Sequence, residues 1–298
     1  MARETTTVQR IRRQAGEAVF LRVAGPEGPE NRARIHTTPG PRWFAPERPV
    51  RRVHGDASMF IGGLAALLLQ SLHPLAMAAV AAHSGYRGDP WGRLHRTSTF
   101  LAFTTFGTSA DAEAAVAHVR EVHGRIRGRT ADGVPYRADD PELLTWVHIA
   151  EAECFLRAHQ RYGRRPLDSA GCDAYLADTA RVARALGADG PPESMRELAV
   201  LMARYRPDLR PTAASRDTAR FLLTDPPLPG AARWPYALLA AAAVDLLPPW
   251  ARAAVAGEAS AAARIPPVAA RAGGHAVTRA IRWALPPAPP APPPAPSD

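Results

Sequence analysis

The chain has 298 residues, 46% of them apolar, and carries 37 basic against 28 acidic residues for a formal charge of +9. That length supports one large domain or two modest ones around a sizeable core, and excludes a peptide hormone, a disulfide mini-scaffold and a wholly disordered tail. Every basic residue is arginine, and the only cysteines, Cys154 and Cys172, stand outside any CxxC pair, so a disulfide framework or a cysteine-bound zinc is excluded as well.

The opening residues, MARETTTVQRIRRQ, are charged and lack the apolar stretch of a secretory signal, which predicts a protein that stays in the cytoplasm. Residues 1–50 mix arginine, proline and glycine without a sustained period and read as an extended or partly disordered basic arm. The ordered domain is expected over residues 51–285, followed over 286–298 by a polyproline II tail that cannot build a core.

Within those limits the periodicity is helical. Residues 60–82 are apolar but interrupted by Gln70 and by His73-Pro74, where the missing amide breaks or kinks a helix. The polar interruption favours buried core helices over a membrane span. Asp89-Pro90 opens a helix that Gly107 stops, and Thr108 or Ser109 caps the next, which is expected to reach Gly128. A polar loop, TADGVPYRADDP, leads to Asp140-Pro141 and a strong helix over 142–161 closed by Gly163. Further helices are expected over 167–187, 194–205, 212–223, 235–247, 249–263 and 267–285. Sustained alternation with β-branched residues is missing, so the predicted fold class is all-α, one domain of about ten helices.

Chemistry has to come from side chains, because no GxGxxG, P-loop, GxSxG, HExxH or zinc ribbon occurs. What stands out is histidine and arginine on otherwise apolar helices. Arg93, Arg96 and Thr97 share one face, where two guanidinium groups and a hydroxyl can clamp an anion or simply form a solvated basic face. Arg120 and His123 lie one turn apart, and His123 borders the stripe of Val119, Val122 and Ile126. An imidazole there can ligate a metal through one nitrogen or be a satisfied core residue. Trp146-Val147-His148 is followed one turn later by Glu151, on a stripe with Leu144 and Phe155, and a carboxylate at that spacing can orient His148 or share in proton transfer. His118 and Glu121 repeat the His-x-x-Glu spacing. That keeps a carboxylate and histidine di-iron site open, although bundle sites use the reverse order.

Taken in order, Leu68-Leu69-Gln70, His73-Pro74, His83-Ser84, Arg93-x-x-Arg96-Thr97, Phe106-Gly107, Val119-Arg120-x-x-His123, Gly128, Tyr136, Asp140-Pro141, Trp146 and His148 resemble the MpaB-like oxygenase domain, over most of the chain. This family includes the latex clearing proteins, or rubber oxygenases. The resemblance implies an all-helical fold around one haem b, with dioxygen as co-substrate and oxidation or oxidative cleavage of carbon-carbon double bonds as the chemistry. It implies His123 as the iron ligand, with Arg120 and Arg93 binding the cofactor. Arg93, Arg96 and Thr97 fall on the distal side, and His148 and Glu151 complete the candidate catalytic set. Haem needs such a set: an axial nitrogen on an apolar face, cations for two propionates and a dry pocket.

Two departures bear on the reaction. Arg96 stands where the rubber oxygenases carry a distal lysine, and a guanidinium cannot ligate iron, so the sixth site is left open, water-filled or taken by His83, His95 or His148. Residues 75–80, where those enzymes carry a glutamate, contain no carboxylate. The expected partner is therefore a small apolar metabolite, isoprenoid-like or aromatic, rather than a polymer. A non-catalytic haem carrier or sensor is the alternative reading, and a non-haem di-iron oxidase the lesser one. Nucleic-acid binding through Arg10, Arg12, Arg13, Arg51 and Arg52 ranks low, since no recognised module accompanies them.

Overall fold

The computed structural model describes residues 2–85, 88–256 and 264–285. Among these residues it is all-α, with fourteen α-helices and one short two-stranded ribbon. In chain order they are α1 (Ala2–Ala24), α2 (Gly28–Thr37), α3 (Pro49–His54), α4 (Met59–Gln70), α5 (Pro74–His83), α6 (Pro90–Phe106) and α7 (Ser109–Arg125). The ribbon β1 (Arg127–Arg129) and β2 (Pro135–Arg137) follows, then α8 (Pro141–Tyr162), α9 (Ser169–Leu186), α10 (Met195–Tyr205), α11 (Ala213–Thr224), α12 (Gly230–Leu246), α13 (Pro249–Ala256) and α14 (Pro267–Ala284). The expected proline-rich tail from residue 286, and the part of the expected 249–263 helix beyond residue 256, lie outside the described residues.

Local chemistry sets most helix boundaries. The side chains of Asp89, Thr108, Asp140, Asp168, Ser194 and Thr212 each accept a backbone N–H from the turn that follows, satisfying amides that have no partner inside the helix. Pro90 and Pro141 sit in first turns, where no amide is missed. Gly187 ends α9 with φ of 104°, a left-handed conformation that glycine enters without strain. At His73-Pro74 the apolar run breaks, and α4 and α5 lie bent by 107°. No single helix among the described residues is long and apolar enough to cross a membrane.

The core forms where α8 packs along α4, closed from the far side by α12 and α14. Trp146, Ile149, Leu68, Leu69 and Leu72 are almost completely buried there. Gly62 brings α4 close, since a Cβ at that position would lie 3.0 Å from Cδ1 of Phe155. A buried carboxylate ties the outer helices in: Asp245 on α12, only 6% exposed, takes Arg161 of α8 at 2.8 Å and Arg271 of α14 at 3.1 Å.

Three expectations are corrected. Residues 1–50 are not an extended arm, because residues 2–24 and 28–37 are helical and seat themselves on α6 and α14. Ile35 and Phe44 are buried, and Arg12 donates to the carbonyl of Trp283 at 2.7 Å. The helix expected to reach Gly128 stops at Arg125, and Gly128 instead pairs with Tyr136 across the ribbon, which fills part of the expected loop. Finally, α12 starts at Gly230, five residues ahead of Pro235, which is accommodated inside the helix. The count of helices exceeds the expected ten chiefly because α1, α2 and α3 precede or open the domain.

Gly274 gives a test of this packing. In most helices Gly→Ala stabilises by about 1 kcal/mol. Here a Cβ would stand 2.6 Å from Cε1 of Tyr162 and 2.9 Å from Cβ of Ala242. Gly274→Ala is therefore expected to destabilise by about 1–3 kcal/mol through overpacking, read as a lower midpoint in denaturant unfolding.

Candidate functional site

Helical spacing turns three stripes toward a common space. On α6 the stripe contains Arg93, Arg96, Thr97, Phe100 and Phe103; on α7 it contains His118, Val119, Val122 and His123; on α8 it contains Leu144, Val147, His148, Glu151 and Phe155. Residues three and four apart share a helix face, which is why these sets face one way. Together with Tyr175 and Val182 of α9, His54 of α3 and Gln70 of α4, they line a cavity of about 860 Å³. The turn between α1 and α2, from Ala24 to Glu27, reaches the same space.

Of the sequence-predicted residues, Arg93, Arg96, Thr97, His123, His148 and Glu151 all line this cavity. Arg93 is partly buried and donates to the Ser84 hydroxyl at 2.7 Å. Arg96 and Thr97 are exposed at the mouth, where Arg96 faces Asp89 at 3.4 Å. Arg120 does not reach the cavity: it is exposed and donates to the Ala185 carbonyl at 3.1 Å, near the end of α9, so its expected cofactor contact is corrected. His83 is likewise turned away and lies 3.2 Å from the Tyr136 hydroxyl. His95 lines the mouth but is engaged with the Arg22 carbonyl at 3.1 Å. His148 alone of the three candidate sixth ligands stands on the inner wall.

The di-iron reading fails on geometry. His118 and Glu121 are both exposed, Glu121 pairs with Arg125, and no grouping of three or more histidine, cysteine or carboxylate side chains suited to a metal occurs among the described residues.

Burial sets the protonation of the cavity. It pushes His123 below the ordinary histidine range, with Asp139 opposing weakly, so the imidazole is neutral at neutral pH. It pushes His148 down to about 4, helped by Arg184, and leaves the Nε2 of that ring buried without a hydrogen-bond partner. Glu151 moves the other way, up to about 6, because desolvation outweighs the Gln70 hydrogen bond and the charge of Arg93. The floor holds a closed set that sequence reasoning did not assign. His54 lies 2.8 Å from the Thr105 hydroxyl through Nδ1 and 3.3 Å from the Tyr175 hydroxyl through Nε2, and burial holds it down to about 3. Gln70 was also unassigned, although a glutamine inside an apolar run was the visible signal. It donates to Glu151 at 3.2 Å and to the Val147 carbonyl at 3.4 Å.

These shifts fix the sign of the pH response. His54 and His148 take up protons in the unfolded chain near pH 6.5 but resist them when folded, so stability falls as pH drops from 6.5 to 5, by about 2 kcal/mol for each. Glu151 holds its proton more tightly when folded, so its contribution falls as pH rises from 4.5 through 6. Glu151→Gln should thus gain about 2 kcal/mol over the parent above pH 6 and nothing below pH 4.5, while His54→Gln should flatten the slope between pH 5 and 6.5. Denaturant titrations at pH 4.5, 5.5 and 7.5 read both effects.

No curated protein and no solved structure matches the chain. A family model does: residues 51–283 match the catalytic domain described as ER-bound oxygenase mpaB/B'/Rubber oxygenase. That match takes in α4 to α14, and with them every helix that contributes a long wall to the cavity. The chain belongs to the MpaB and rubber oxygenase family, and its cavity lies in an oxygenase catalytic domain.

Proposed function

We propose that the protein is a haem b-dependent oxygenase that uses dioxygen to oxidise, or cleave oxidatively, a small apolar metabolite. The observation that carries this reading is His123: a partly buried imidazole, kept neutral by burial, on the wall of a mostly apolar cavity in an oxygenase-family chain. The volume of about 860 Å³ falls within the ~300–1,000 Å³ of sites that enclose cofactors and small ligands.

The donor set suits the cofactor. His123 would offer a neutral imidazole nitrogen to the iron, and Arg93 and Arg96, with Arg34 that is here paired to Asp111, would offer cations to the propionates. Bound there, haem would contribute the redox-active iron on which dioxygen is activated. The chain's own residues do the rest. Phe100, Phe103, Val147 and Phe155 exclude water, which strengthens each polar contact inside. Glu151 titrates near 6 and so can hold or release a proton at its carboxyl near neutral pH, a role open because residues 75–80 carry no carboxylate. His148 stays neutral, and with its Nε2 buried and unpartnered it contributes an uncharged ring to the wall beside Glu151.

The visible spectrum tests it. Purified chain supplemented with haem should give a Soret band, His123→Ala should lose or misligate the haem, and Arg93→Ala should bind it at least several-fold more weakly while retaining some. His118→Ala, on the same helix face, should keep the parent spectrum. Failure of the parent chain to give the band overturns the cofactor, and loss on His118→Ala but not on His123→Ala overturns the ligand assignment.

A further inference from the structure

We infer that Gln70 and Glu151 form a polar anchor on the inner wall of the cavity, which selects substrates bearing a hydroxyl group over bare hydrocarbons of the same shape. This rests on the oxygenase reading for its context and deepens it by naming a substrate class.

The anchor is built from two packed helices. Gln70 ends α4 just before the chain breaks at His73-Pro74, and Glu151 lies midway along α8. The Gln70 amide nitrogen donates to Oε1 of Glu151 at 3.2 Å and to the Val147 carbonyl at 3.4 Å, and the Gln70 backbone carbonyl accepts from the Trp146 indole at 3.4 Å. These contacts fix the orientation of both side chains. They use the donors of the pair and leave acceptors: the amide oxygen of Gln70 and Oε2 of Glu151 have no hydrogen-bond partner among the described residues. Both residues line the cavity, and neither oxygen is among the fully buried orphaned atoms, so each keeps a surface toward that space.

Leu67, Leu101, Ala152 and Phe155 share the lining with them, and the Arg93 guanidinium lies close enough for its charge to act on Glu151. The other polar groups of the floor are not available, since His54, Thr105 and Tyr175 are engaged with one another. Two fixed acceptors in a mostly apolar lining call for a donor. A ligand hydroxyl supplies one, whereas a hydrocarbon displaces water from both oxygens and leaves them unpaired, and sites built this way reject the analogue that lacks the polar group.

Benzyl alcohol and toluene, which differ by one hydroxyl, test the anchor by calorimetric titration of the full chain. This readout needs no turnover and no colour from the cofactor. The parent should bind benzyl alcohol at least tenfold more tightly than toluene. Gln70→Leu with Glu151→Leu should bring that ratio below threefold without weakening toluene, while Glu151→Gln, which retains an acceptor oxygen, should preserve most of it. The cooperative melt of each variant separates loss of the anchor from loss of the fold. Equal affinity of the parent for the two probes, binding of neither, or a ratio that survives in the folded double variant overturns the inference. A chain that lacks the Soret band yet shows the tenfold ratio refutes the oxygenase reading and keeps the anchor; a normal band with a ratio of one does the reverse.

Discussion

The packing of α8 against α4 is the constraint on which the rest of the molecule depends. One helix of 22 residues carries two stripes: Trp146, Ile149 and Ala150 are sealed in the core, and Leu144, Val147, His148 and Glu151 face the cavity. Because the two stripes share one backbone, the site inherits the rigidity of the core. Gly62, which lets α4 lie against Phe155 and Ala158, is as much a determinant of where Gln70 meets Glu151 as of core density. Close packing of this kind moves in discrete steps rather than by gradual give.

Charge is managed by the same geometry. Part of the arginine excess is used inside the fold, where several guanidinium groups close it. Arg282 of α14 meets Asp56 at 2.7 Å, and Asp245 gathers Arg161 and Arg271. Arg51, weighed from sequence for nucleic-acid contact, stacks on Phe106 and donates to the Phe44 carbonyl. Removing one partner from such a buried pair leaves an uncompensated charge, so these pairs specify the arrangement even where their net stabilisation is small. Inside the cavity the order is reversed: carboxyl and imidazole groups are held toward their neutral forms by burial, and the guanidinium groups stand toward the mouth.

How much of this was legible in the sequence follows from how local each cause is. Caps at Asp140, Asp168, Ser194 and Thr212, and the stops at Gly163 and Gly187, act within one turn, and the helices they bound were read within a residue or two. The stripe residues Arg93, His123, His148 and Glu151 were legible because a cavity wall on a helix has the helix's own period. Arg120 shares that period with His123 but sits at the edge of the stripe, and only the approach of α9 decides that it bonds the Ala185 carbonyl instead. His54, Gln70 and Tyr175 come from three separate helices, so their convergence is a property of packing that no single segment records. The helical lead-in was missed for the same reason: its seat is supplied by helices distant in the sequence.

The contact of α1 with α14 carries a consequence for the order of assembly. Arg12 reaches the Trp283 carbonyl across 271 positions of sequence, and Gly16 has no room for a Cβ against the Ala284 carbonyl. During synthesis α1 can settle on α6 early, but the α14 side of its seat waits for the last of the described helices. Contacts this far apart are slow to form and expose unpartnered surface meanwhile. The turn between α1 and α2 is placed by α6 through the contact of His95 with the Arg22 carbonyl, so the cavity rim can form before the α14 clasp on α1 completes the molecule.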